Sequence, residues 1–161
     1  MDPRRSPRTE PAAPGSTIQI RGGVYRESVT VAVPDLRIMG VPGPGGARVV
    51  IENPGTATHG IAVRGVDGFR LSDVTVRGFR RNGVVLVDSD DFRLTRIVAE
   101  GNGAYGLYPI RSSNGTIEHC TVSGSADAGI YVGLSNGVRV LRNTVFANVA
   151  GVEVSNADDV E

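Results

Sequence analysis

The sequence predicts an all-β chain wound as a single-stranded parallel β-helix, a solenoid of three parallel sheets in coils of about 23 residues. Three observations carry this. Gly60, Gly83, Gly106, Gly129 and Gly151 recur at spacings of 23, 23, 23 and 22 residues, and each opens a short segment such as Ile61-Ala62-Val63 or Ile130-Tyr131-Val132. The 161 residues hold 24 valines and 22 glycines against 7 leucines and no tryptophan, a β-branched and turn-punctuated composition that disfavours helices. Counted from each glycine, like residues then fall above like, which is how parallel strands on successive turns share one core.

The elements follow in order. Residues 1–14 hold four prolines and little apolar content, so they are expected as a disordered Pro/Arg-rich tail, with the β-helix domain running over 15–161. Residues 16–59 form about two irregular coils, with strands around Ile18–Ile20, Val29–Val31, Leu36–Ile38 and Val49–Ile51, broken by the Gly/Pro-rich loop 41–46. From Gly60 the coils become regular. After the strand that each glycine opens come the inward columns Phe69/Phe92/Gly115/Val138 and Leu71/Leu94/Ile117/Val140 of a second strand. Val74/Ile97/Cys120/Asn143 and Val76/Ala99/Val122/Val145 form the third. Asn143 interrupts an apolar column and is expected to bond turn backbone. Asn82-Gly83, Asn102-Gly103, Asn114-Gly115 and Asn136-Gly137 are expected to supply left-handed corners. A single coil buries about six apolar side chains at roughly 1.5–3 kcal/mol each, less than ordering its backbone costs, so coils stabilise one another.

The formal net charge is zero, which gives no global field for nucleic acid or an anionic membrane. No apolar run is long enough to span a bilayer, so no membrane insertion is expected, and no signal peptide is visible in the chain. Cys120 is the only cysteine and sits in a core column, where a buried thiol acts as a small hydrophobe. His59 and His119 fall in different coils without ligand-like spacing, so no zinc or copper site is expected.

Gly15-Ser16-Thr17-Ile18-Gln19-Ile20 with Gly23-Val24-Tyr25-Arg26-Glu27-Ser28-Val29 resembles the first coil of the right-handed parallel β-helix superfamily, which includes pectate lyases and polysaccharide epimerases. Asn102-Gly103-Ala104-Tyr105-Gly106-Leu107-Tyr108-Pro109 and Ser125-Ala126-Asp127-Ala128-Gly129-Ile130-Tyr131-Val132-Gly133 resemble a group of bacterial exported β-helix repeat proteins. The resemblance implies a right-handed winding, a polysaccharide partner and an extracellular or periplasmic setting, with a cytoplasmic protein or a fragment as the alternative since no signal peptide is visible. After Gly151 only ten residues remain, so the solenoid is expected to be truncated at its C-terminal end, leaving a strand edge that would template end-to-end self-association.

In the resembling enzymes the polysaccharide lies along the outer face of the first sheet. Here that face carries Ala62, Val85, Tyr108, Tyr131 and Glu153. One flank adds Arg80, Arg81, Asn102, Tyr105 and Asp127, and the other adds Asp88, Asp90, Asp91 and Arg111. On this resemblance Asp127 is the candidate general base and Arg111 the candidate uronate clamp, with Tyr105, Tyr108, Tyr131, Asp88 and Glu153 as candidate substrate contacts. Tyr108 and Tyr131, one coil apart, form either stacked platforms for successive sugars or a plain cross-strand ladder. Asp88 and Arg111 occupy equivalent positions in adjacent coils, which also suits a surface ion pair. No cofactor is expected; a Ca²⁺ site at Asp88, Asp90 and Asp91 competes with three solvated acids of a turn. On the second sheet Asp73/Arg96/His119/Arg142 and Arg70/Arg93/Thr116/Arg139 make an arginine-rich ridge, either solvated or facing an anionic polymer. The function expected is a non-catalytic carbohydrate-binding or scaffold solenoid. The alternative is a lyase or epimerase acting on an acidic, uronate polysaccharide, although the Asp-Pro-His-Asp signature of alginate epimerases is absent.

Overall fold

A strand of three to six residues has no hydrogen bonds of its own, so each of these valine-rich segments must pair with its equivalent one coil away. That is the arrangement in the computed structural model, which describes residues 11–161. The first coil is β1 (Thr17–Arg21), β2 (Gly23–Arg26) and β3 (Val29–Val31); the second is β4 (Arg37–Val41), β5 (Val49–Glu52) and β6 (His59–Arg64). The third is β7 (Arg70–Ser72), β8 (Val74–Arg77) and β9 (Asn82–Val87), and the fourth β10 (Arg93–Thr95), β11 (Val98–Glu100) and β12 (Leu107–Ile110). The fifth is β13 (Thr116–Glu118), β14 (Thr121–Ser123) and β15 (Ala128–Gly133), and the sixth β16 (Arg139–Leu141), β17 (Thr144–Phe146) and β18 (Ala150–Ser155).

Every pairing is parallel and joins neighbouring coils, giving three six-stranded sheets in a right-handed solenoid. The first sheet is β3-β6-β9-β12-β15-β18, the second β1-β4-β7-β10-β13-β16 and the third β2-β5-β8-β11-β14-β17. The irregular start is visible in the register: Thr17 pairs with Arg37, but Arg37 pairs with Arg70, the added length lying in the turns around Pro44–Gly46 and 53–58. β2 is a strand the apolar pattern does not mark, because Val24 points outward and is exposed. Residues 1–10 of the expected tail lie outside the described residues. Of its remainder, Ala12 packs on the core and the Ser16 amide donates to the Ala13 carbonyl at 3.1 Å, so ordered structure starts ahead of Gly15.

Ile61, Val63, Phe69, Leu71, Val74 and Val76 are at most 1% exposed, so one turn counted from Gly60, through β6, β7 and β8, contributes the six inward side chains the sequence predicts. Within the Phe69/Phe92/Gly115/Val138 column the Phe92 ring fills the space a Gly115 side chain would take. Cys120 is buried, which pushes its thiol up to about 11, and the neutral group packs as a hydrophobe.

The corners are held by polar ladders. Ser112 and Ser135 hydroxyls accept the amides of Ser89 and Ser112 at 3.0 and 2.9 Å, and Ser89 accepts the Val66 amide at 3.3 Å. Asn143 accepts the Cys120 amide at 2.8 Å and donates to the Ile117 carbonyl at 2.9 Å, the backbone role its column position predicts. The Asn-Gly pairs differ from expectation. Of those eight residues only Asn114 and Gly137 have positive φ. Asn82 and Asn102 are instead buried with their side chains bonded to neighbouring coils, and a Cβ on Gly83 would sit 2.6 Å from the Gly106 carbonyl oxygen. The left-handed corners fall elsewhere, as in the row Asp73, Arg96, His119 and Arg142.

Candidate functional site

The outer face of the first sheet changes character along the solenoid. Ala62 and Val85 are 7% and 3% exposed, so the small side chains of the second and third coils offer no open surface. One coil further, Tyr108 on β12 and Tyr131 on β15 stand half-buried, with Glu153 on β18 in register beyond Tyr131. Tyr105, in the turn leading into β12, joins them. Its ring centroid lies 4.6 Å from that of Tyr108 and 4.8 Å from that of Tyr131, and the latter two are 5.1 Å apart.

Tyr108 and Tyr131 meet edge-on at 89°, so they do not present parallel platforms to successive sugars. Three mutually tilted rings form one aromatic knob, an arrangement the ring quadrupole favours over face-to-face stacking. Two local features set it. The Tyr105 amide donates to Asn82 Oδ1 at 3.3 Å, and Asn82 Nδ2 in turn lies 3.2 Å from His59 Nδ1. Gly133, lacking a side chain, leaves room for the Tyr131 ring, which would stand 2.7 Å from a Cβ there.

The knob is electrically lopsided. Burial pushes the Tyr105 phenol up, and the negative charge of Asp127, the neighbouring tyrosines and Glu153 push it further the same way. Tyr108 is also raised, first by burial and then by Tyr131, with Arg111 and Arg81 opposing. Acids therefore lie on the Tyr105 side and guanidinium groups on the Tyr108 side. Both phenols stay protonated at neutral pH, able to donate hydrogen bonds. Asp127 is exposed; its backbone is fixed by its amide donating to the Ala104 carbonyl at 3.1 Å and its own carbonyl accepting from Val149 and Ala150.

Of the candidates, Tyr105, Tyr108, Tyr131, Asp127 and Glu153 are brought into one neighbourhood. Arg111 and Asp88 pair with each other on the other flank, Nε to Oδ1 at 2.8 Å and Nη2 to Oδ2 at 3.4 Å. That contact lowers Asp88 and raises Arg111, and the guanidinium edge a uronate clamp would use is occupied. The acids of the Asp88 turn do not converge: Asp90 Oδ1 accepts the Ser113 amide at 2.7 Å, and its own amide donates to Asp67. Among the described residues no group of three or more His, Cys, Asp or Glu side chains forms a metal cage. Asn82 and His59, which position Tyr105, are members the sequence reading left out. Their signal is the 23-residue spacing that joins them, since the Asn-Gly pair reads as a turn.

The sequence signature described as a right handed beta helix region matches residues 59–161. No curated protein matches the chain in sequence. Among solved structures it is similar to the pectin methylesterase from Yersinia enterocolitica, at 18% identity and a TM-score of 0.61, over 80% of this chain and 50% of that one. A pectin methylesterase in complex with a hexasaccharide aligns at 15% identity and a TM-score of 0.63, over 96% of this chain and 60% of that one. A glycosyl hydrolase assigned as such from Parabacteroides merdae aligns at 11% identity and a TM-score of 0.60, over 89% and 82%. At these identities the likeness is one of fold, and the chain spans about half to three-fifths of the length of the pectin methylesterases. Among the described residues no helix is long and apolar enough to cross a membrane.

Proposed function

Because the chain belongs to the right-handed β-helix family, we propose that it is a carbohydrate-binding solenoid that holds a polysaccharide against the tyrosine knob of the first sheet without cleaving it. The observation that carries this is the gathering of three half-buried rings within 4.6 to 5.1 Å on an outer face. Each ring offers an apolar face to sugar C–H groups and a phenol to sugar hydroxyls. The fold neighbours whose names mention pectin, one of them bound to a hexasaccharide, support a polysaccharide partner and with it an extracellular or periplasmic setting. Asp127 and Glu153 on one flank would accept hydrogen bonds from the sugar.

The lyase or epimerase reading rests on Asp127 beside Tyr105. A proton abstracted next to a uronate carboxylate needs a base and a cation held against that carboxylate. The raised phenols stay protonated at neutral pH and leave Asp127 as the sole candidate base, while Arg111 is committed to Asp88, which favours binding over turnover.

Isothermal titration with polygalacturonate, methyl-esterified pectin and a neutral glucan tests both readings. Loss in Tyr108→Ala/Tyr131→Ala of binding to methyl-esterified pectin or the neutral glucan, or of the part of polygalacturonate binding that persists at high salt, with the polymer's size unchanged after long incubation, supports the binding module. Appearance of an unsaturated or epimerised product that disappears in Asp127→Asn would replace it with the enzyme. No binding to any of the polymers would overturn both.

A further inference from the structure

The outward rows of the second and third sheets handle charge in opposite ways. On the third sheet the register runs Arg26, Glu52, Arg77, Glu100, alternating sign coil by coil. Ion pairs of 3.0, 2.9 and 3.7 Å close along it. On the second sheet the register runs Arg37, Arg70, Arg93, three cations of one sign on adjacent strands. Parallel strands lie about 4.8 Å apart, so these side chains rise from the surface at that interval and repel one another. Arg93 reaches Glu118 only at 3.8 Å, and among the described residues Arg37 and Arg70 have no acidic partner. The same architecture neutralises one row internally and leaves the other short of counter-charge.

Those arginines line a surface groove of about 320 Å³ together with Arg96, whose guanidinium is held by Asp73 at 2.7 and 2.8 Å. The Ser72 and Thr95 hydroxyls and the Glu118 carboxylate, at the Arg93 end, line the same groove, and none of its lining residues is aromatic. A guanidinium fork matches carboxylate and sulfate oxygens two at a time. Hydroxyls in the row beside the forks suit sugar hydroxyls, whereas single-stranded nucleic acid is held by aromatic stacking that this groove does not offer.

We propose that this groove is a second glycan site, which takes a linear anionic polysaccharide bearing a carboxylate or sulfate on its sugars, laid across the coils so that successive anions meet Arg37, Arg70 and Arg93. It lies on a different sheet from the tyrosine knob and does not depend on the reading of that knob.

The experiment compares two pairs of substitutions that remove equal charge, Arg37→Gln/Arg70→Gln in the groove and Arg26→Gln/Arg77→Gln on the alternating row. Titrations use polygalacturonate, heparin, polyphosphate and single-stranded DNA, with circular dichroism to check that each variant keeps its β signal. The expected result is salt-sensitive binding of polygalacturonate or heparin, weakened about tenfold or more by the groove pair, little changed by the other pair, and retained in Tyr108→Ala/Tyr131→Ala. Which of the two glycans binds more tightly tells carboxylate from sulfate. Equal loss in both arginine pairs, loss in neither, no binding of either glycan, or groove-dependent binding that prefers DNA or polyphosphate overturns the proposal. Loss only in the tyrosine variant overturns it while leaving the knob reading standing.

Discussion

Arg96 clasps Asp73, one coil away, through both prongs of its guanidinium, Nε to Oδ1 at 2.7 Å and Nη2 to Oδ2 at 2.8 Å, and both residues sit at left-handed corners with φ of 51° and 60°. The pair ties two consecutive corners together along the solenoid axis and compensates part of the unfavourable backbone at each. The Arg96 bond holds the Asp73 carboxyl below its ordinary 3.8, so the folded state binds this proton less readily than the unfolded one. The contribution is therefore present above the ordinary carboxylate value and is lost as pH falls through the folded one. Asp73→Asn is expected to lower stability at pH 7 by about 0.2–1 kcal/mol, as for a partly exposed pair. Urea melts at neutral pH and at pH 3 check this: the gap between wild type and variant should narrow in acid, and a constant gap would show that the charge is not the source.

Tyr105 and Asp127 give a second, local test. Asp127 is the largest charged contributor to the raised Tyr105 phenol, after burial. Asp127→Asn removes that negative charge and should make the phenolate easier to form, moving the Tyr105 ionisation toward lower pH. Ring-resonance NMR across the alkaline range reads it. No movement of Tyr105 would place Asp127 away from the knob in solution and remove it from the candidate site.

The columns from Gly60 onward were legible because each coil repeats the last: a count of 23 from Leu71 finds Leu94, then Ile117. The same count predicts the Asp88–Arg111 ion pair. It fails in the first two coils, where Arg37 pairs with Arg70 across a longer interval, so the third member of the arginine row is invisible to a fixed period. Asn82 and Asn102 show another limit. Asn-Gly carries the same local signal whether the amide side chain points to solvent at a left-handed turn or inward to satisfy backbone, and burial decides between them. The knob was half legible. Tyr108 and Tyr131 follow from the period, but their edge-on meeting depends on Tyr105 entering from the turn, which no spacing rule fixes.

The last coil carries apolar side chains that the coil below would otherwise require to be covered. Val152 and Val154 occupy the inward column of β18 and are about half exposed. β18 also presents an unpaired strand edge within this chain. The 161-residue polypeptide is expected to associate end to end, with a sedimentation coefficient that rises with concentration. Val152→Lys/Val154→Lys should return it to a monomer. A single monomeric boundary for the unsubstituted chain at all concentrations would exclude association through this edge.

The corner before the first sheet contains a repair that the structure itself specifies. At position 102 an asparagine accepts the Phe79 amide at 3.1 Å and donates to the Val76 carbonyl at 3.3 Å; at position 148 another accepts the Ser125 amide at 2.8 Å and donates to the Val122 carbonyl at 3.1 Å. Between them in the same ladder stands Ser125, too short for both bonds, and its buried hydroxyl has no partner among the described residues. The glycines of this layer report the room available. A Cβ on Gly83 would lie 2.8 Å from the Asn102 amide nitrogen and one on Gly129 would lie 2.7 Å from that of Asn148, whereas the atoms nearest a Cβ on Gly106 belong to Val122, Gly129 and Ala99. Ser125→Asn is expected to stabilise the fold by about 0.5–1.5 kcal/mol by completing the ladder, and Ser125→Ala to be near neutral because an unsatisfied hydroxyl is removed. Ser112→Ala is the contrast: its hydroxyl accepts the buried Ser89 amide, so its loss should cost about 1–3 kcal/mol. Thermal melts of the three variants, read together, decide the matter. A destabilised Ser125→Asn alongside a neutral Ser112→Ala would show that the corners are held by packing rather than by these side-chain ladders.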